Sequence, residues 1–171
     1  MNFFTDRNFK TLFLISMGIY FIVEHNFRER PTSMDQLTDI VGTLDHYSFR
    51  DNIGLKKQSH EYFISLDEYP NKFQIKSDYL QFFNKYLFEE SVQKGHHIKI
   101  TVPNYKKQLI GTDETVVITS LSANSLEFLS KQETINYEID SSQSNSDYIF
   151  GGTLIIIALL YFFLHGKFKI L

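Results

Sequence analysis

The stretch YIFGGTLIIIALLYFFLHGKFKIL, Tyr148 to Leu171, decides how the rest of the chain is read. From Tyr148 to Leu164 it runs 17 residues without a charge, with Asp147 before it and Lys167 and Lys169 after it. A helix that crosses a bilayer needs about 20 mostly apolar residues and at least about 17, because each advances about 1.5 Å through a hydrocarbon core of about 30 Å. Tyr148 at one edge and Tyr161, Phe162 and Phe163 toward the other fit the aromatic belts at the two interfaces. A buried core helix is the competing reading, but the polar middle of the chain has little apolar mass to wrap around a helix that is greasy on every side.

A second apolar run, TLFLISMGIYFIV from Thr11 to Val23, lies between Lys10 and Glu24. Its 13 residues would suit the core of a signal peptide. The following EHNFRERPTS, however, lacks the small-residue cleavage site, so an uncleaved signal anchor is expected, extended by Phe9 and Phe27. The expected layout is a cytoplasmic N-terminus (1–10), transmembrane helix 1 (11–27), a β-rich soluble domain (28–139), a polar tether (140–147), transmembrane helix 2 (148–165) and a cytoplasmic C-terminus (166–171). Charge sets the sidedness. Arg7, Lys10, Lys167 and Lys169 oppose one acid outside the loop, whereas residues 24–147 carry 13 Lys and Arg against 19 Asp and Glu. The positive-inside rule then puts the termini in the cytoplasm and the domain outside, in what is expected to be a bacterial inner membrane.

The middle carries the periodicities of a folded domain. QLTDIVGTLDHYSF alternates through Leu37, Asp39 and Val41, and Gly42 suggests a long first strand bent at the glycine. DNIGLKKQSH, with Gly54, Lys56 and Lys57, reads as a hairpin loop; EYFISLDEY alternates through Tyr62, Ile64 and Leu66, and NKFQI follows a turn at Pro70–Asn71. SDYLQFFNKYLFEESV then has a helical stripe of Tyr79, Leu80, Phe83, Tyr86 and Leu87, with Asp78 and Gln81 resembling a capping box and Gly95 a stop. HHIKITVPNY alternates to Pro103, ETVVITSLSANSLEFL reads as two strands around SANS, and SKQETINYEI as a short helix capped by Ser130. The expected fold class is therefore an α+β membrane protein, two transmembrane helices flanking a small β-rich domain. The order of three strands, an amphipathic helix and two strands is that of an OB-like barrel, with another small barrel or sandwich as the alternative.

No residues are singled out as catalytic, cofactor-binding or metal-binding. Cysteine is absent, which removes disulfides, thiolate ligands and a thiol nucleophile. His60 and Glu61 open HEYFI, but Ile64 stands where the zinc motif needs its second histidine. His96 and His97 are neighbours in a strand and point apart. The pairs Asp67/Glu68, Glu89/Glu90 and Asp113/Glu114 diverge for the same reason, so they do not form a glycosidase-type pair. Lys106 and Lys107 beside Tyr105 are a weak basic cluster in an acidic loop, which argues against nucleic acid as a partner. Gly151 and Gly152 suit close packing against another helix, and Phe82 and Phe88 suit the core.

The sequence thus points to a non-catalytic two-span protein without a cofactor. Its expected partners are the lipid bilayer and a protein, an envelope component or a further copy of itself. An oligomeric pore-forming or membrane-perturbing effector with a ligand-sensing domain is the alternative.

Overall fold

The computed structural model describes residues 6–53 and 59–165. It divides into a sheet unit, Arg30–Ser141, and a helical unit formed by Met1–Glu29 with Ser142–Leu171. The presumed hairpin-loop residues Gly54, Lys56 and Lys57, and the flanking Lys167 and Lys169, lie outside the described residues.

One strand organises the sheet unit. β1, Leu37–Ile53, pairs antiparallel through Leu37–Thr43 with β4, His97–Pro103, and from Leu44 onward with β2, Ser59–Leu66. The change of partner falls beside Gly42, where a Cβ would sit 2.6 Å from Glu68 Oε2 and 2.8 Å from Leu66 Cδ1, so a side chain there would have to displace the ends of both. The inward residues of the first half are Ile40, Gly42 and Leu44. Leu37, Asp39 and Val41, whose alternation marks the strand, lie on the other face; a two-residue period reveals alternation but not which phase meets the core.

β2 turns at Asp67–Glu68 into β3, Tyr69–Ile75, so Pro70 and Asn71 are strand residues rather than the turn. β3 pairs in parallel with β5, Thr115–Ile118; one residue later β6, Ser120–Ala123, pairs antiparallel with β4 and then with β7, Leu126–Leu129. Thr119 makes this switch, its N–H bonding Thr101 O at 2.8 Å. Asn124 and Ser125, both at positive φ, form the tight turn between β6 and β7. The observed order is a seven-stranded mixed sheet, β5-β3-β2-β1-β4-β6-β7. The barrel is not closed: β4 has its ladder with β6, and β5 and β7 remain the ends of the order.

The expected helix from Ser77 is interrupted. A 3-10 segment, Ser77–Phe82, precedes α2, Lys85–Ser91, because Phe83 bridges Leu129 and Asn84 N–H bonds Phe128 O at 2.8 Å. Asn84, not Asp78, is the cap of the α-helix; its side chain accepts from Leu87 N–H. Phe88 is fully buried against Tyr47, Phe49 and Phe128, whereas Tyr86 of the predicted stripe is 75 % exposed.

α3, Lys131–Gln143, starts at Ser130 as expected but consumes half of the presumed tether, and α4, Ser146–His165, begins after only Ser144 and Asn145. Glu138 is buried on α3 and accepts from Tyr79 Oη at 2.6 Å and Lys76 Nζ at 3.0 Å, which fastens α3 to the sheet unit. In the helical unit α1, Asp6–Phe27, lies antiparallel to α4: His25 meets Asp147, Phe21 meets Phe150 and Arg7 meets Phe162.

Candidate functional site

The α1–α4 pair is the candidate. Among the described residues one helical stretch, Lys131–Leu164, is long and apolar enough to cross a membrane, and only 11 % of its most apolar window is buried. α1 does not reach that threshold. Asn8 and Lys10 at one end and Glu24, His25 and Asn26 at the other restrict its apolar stretch to Thr11–Val23, about 20 Å of helix. The expected first span is therefore present as a helix but not as an independently apolar span.

What α1 does supply is a seam. Thr11, Gly18 and His25 recur every seventh residue and are all withdrawn from solvent, as are Gly151 and Ala158 on α4. A seven-residue repeat keeps one line of each helix facing its neighbour, and the small residues on that line allow the backbones to approach. A Cβ on Gly18 would lie 2.6 Å from Gly151 O, and one on Gly151 would lie 2.6 Å from Gly18 O. Gly152, one residue along, has open space around its Cα. Of the expected glycine pair, only Gly151 is the packing residue.

Away from the seam the helices present Leu12, Phe13, Ile19, Ile156, Leu160 and Phe163, each about half exposed or more. Their polar groups cluster at one end. His25 Nδ1 is 2.9 Å from Asp147 Oδ2, the Tyr148 ring meets the His25 ring edge-on at 4.7 Å, and Tyr148 Oη donates to Asn26 Oδ1 at 2.8 Å. At the other end a groove of about 400 Å³ opens beside Arg7, Asn8, Thr11 and Phe162.

The other polar residues that the sequence singles out lie in the sheet unit. Asp51 accepts from Tyr62 Oη at 2.6 Å, pairs with His60 Nδ1 at 2.8 Å and accepts from Lys85 Nζ at 3.0 Å; these bonds, Tyr62 and His60 foremost, hold its carboxyl well below the usual range. Such a fully engaged carboxylate is a strut, and Glu61 is paired with Arg50. Burial pulls Asp39 up, but the bonds from Lys131, Lys99 and Thr101 outweigh it and depress its carboxyl strongly. Glu68 accepts from Thr43 N–H and Oγ1. His96 accepts from Gln93 N–H and His97 lies 3.4 Å from Thr43 Oγ1. Asp67, Glu89, Glu90, Asp113 and Glu114 are exposed, as is Lys107 in the segment Asn104–Leu109, where Lys106 is half-buried with its Nζ 5.6 Å from the Tyr105 ring centroid. Among the described residues no three His, Asp or Glu side chains converge on a point that could hold a metal.

Comparison with protein-family models, with curated proteins and with solved structures finds no match. The seam and the Glu138 clamp were both missed in the sequence. The first was legible as the sevenfold spacing Thr11–Gly18–His25, while nothing local marks Glu138.

Proposed function

We propose that the chain is a non-catalytic, two-span integral membrane protein whose helical unit anchors the sheet unit on the extracytoplasmic face of a bacterial inner membrane, with both termini cytoplasmic. The observation that carries this reading is the inversion of the α1–α4 pair: glycine, alanine and threonine are buried, while Leu, Ile and Phe face out. In water that arrangement exposes apolar surface at about 25 cal/mol per Å²; in lipid it exposes none. Pairing with α4 also supports a crossing by α1, because its Thr11 and His25 are withdrawn along the seam and its short apolar stretch is matched to a longer neighbour. Outward Leu, Ile and Phe favour anchoring over the lining of a water-filled pore. The parallel β3–β5 and antiparallel β1–β4 pairings support an opened version of the OB-like plan as the displayed surface.

Because the chain has no cysteine, single cysteines at Lys94 and Lys107, both exposed, report sidedness directly. Both should react with a membrane-impermeant maleimide once the outer membrane is permeabilised. Reaction only after the inner membrane is broken overturns the orientation, and recovery of the chain in the aqueous fraction without detergent overturns the anchoring.

A further inference from the structure

The seam sets α1 and α4 in register, and the register brings their polar limits level. At one rim His25 meets Asp147 and Tyr148 Oη donates to Asn26, with Glu24 paired to Arg28 beside them on α1. At the other rim Lys10, Phe13 and Leu14 line one hollow with Tyr161, and the Arg7 guanidinium lies 4.7 Å from the Phe162 ring centroid. Between these rims α1 offers residues 11–23 and α4 residues 148–160, 13 in each helix and none of them charged. The two apolar bands are therefore equal in height, about 20 Å at about 1.5 Å per residue.

The longer uncharged run of α4 does not raise this height. Its last four residues, Tyr161 to Leu164, begin level with Lys10 and run past Arg7. Rings set among cations are the composition of a membrane interface, not of its hydrocarbon interior. A core of about 30 Å exceeds the band by about 10 Å, and would draw charged groups below its surface. The exposed Lys10 can recover part of the difference by snorkelling along its stem. The opposite rim cannot follow, because His25 is withdrawn along the seam and bonded to the short side chain of Asp147.

We propose that the outward face of the helical pair is matched to a thin bilayer and gathers phospholipids with short acyl chains around itself. Leu12, Phe13, Ile19, Ile156 and Leu160 are the side chains that this ring of lipid covers. Tilting relieves a span that is too long for its membrane, not one that is too short, so the response to this mismatch falls on the lipid: the bilayer thins beside the pair, and short chains need the least deformation to do so. The inference rests on the anchoring proposed above and adds to it the kind of lipid.

The test uses the full chain reconstituted into vesicles of equal parts of a short-chain and a long-chain phosphatidylcholine, with acyl chains of about 14 and about 20 carbons, which bracket the thickness of an ordinary bilayer. Patches cut out with an amphipathic polymer carry the protein with its nearest lipids, and mass spectrometry compares their lipid ratio with that of protein-free patches. The short-chain lipid should be enriched roughly twofold or more. Lys10→Leu lengthens the apolar band and should move the ratio toward the long-chain lipid, whereas Lys10→Arg keeps the charge and should leave it in place. Equal ratios with and without protein, enrichment of the long-chain lipid, or an unchanged ratio for Lys10→Leu with its helicity intact overturns the matching, and overturns it alone where the chain stays with the vesicles through an alkaline wash. A chain that needs no detergent overturns both.

Discussion

The two units sort their residues by size in opposite directions. The sheet unit removes Phe73, Phe88 and Phe128 from solvent and, Glu138 excepted, leaves its described Asp, Glu and Lys at least partly outside; the helical unit removes Thr11, Gly18, Gly151 and Ala158 and leaves Leu12, Phe13, Ile156 and Phe163 outside. Burying large apolar side chains is rewarded only where the alternative is water. Where the alternative is hydrocarbon, association rests on close backbone contact, which small residues permit. One chain thus carries two packing rules, and under the proposed anchoring each suits the medium that its unit meets.

Phe88→Ala should break the comparison from the sheet side. Phe88 is fully buried among Tyr47, Phe49 and Phe128, so its truncation should cost about 3–5 kcal/mol, read as a drop in the denaturant midpoint by near-ultraviolet circular dichroism. A loss below about 1 kcal/mol would mean that the aromatic cluster is not the core of the unit.

On the helical side the sharpest contrast is between neighbours. Gly18→Leu or Gly151→Leu drives a side chain into the facing backbone and should cost about 1–3 kcal/mol or more in detergent thermal unfolding, whereas Gly152→Leu enters open space and should change little. Equal effects at 151 and 152 would dissolve the seam.

A smaller effect concerns pH. Asp39 is depressed in the folded sheet unit by Lys131, Lys99 and Thr101, so its contribution is present above its unfolded value of about 3.9 and is lost as pH falls below that value. Asp39→Asn should therefore flatten the acid limb of stability against pH, followed by denaturant midpoints between neutral pH and acid; an unchanged limb would reassign it to other carboxylates. Tyr86→Ser should have the least effect, within about 0.5 kcal/mol by the same titration, because the side chain is 75 % exposed.

Much of this architecture can be read from local pattern. The long first strand through Gly42, the buried set Tyr62, Ile64 and Leu66, the strand ending at Pro103 and the start of α3 after Ser130 all follow from period and punctuation. What fails does so where a distant partner overrides the local signal. Phe83 and Asn84 leave the helix because Leu129 and Phe128 offer them strand-like bonds, and Thr119 divides one apparent strand because β3 and β4 claim its two halves. DSSQSNSD looks like a tether by composition, yet its first four residues continue a helix already nucleated from Ser130 and held down by Glu138. At the candidate site, the span and its glycine were legible in composition. Which side of α1 meets α4 is decided by contacts far along the chain.

The divided allegiance of β1 has a consequence for synthesis. Its second half finds β2 as soon as the next segment emerges, but Leu37–Thr43 pairs with His97–Pro103, which leave the ribosome much later. At about 5–20 residues per second the wait is several seconds. For that interval Ile40 and Val41 form a bare hydrogen-bonding edge, and it is there that a nascent chain of this sequence is most vulnerable to pairing with the wrong neighbour.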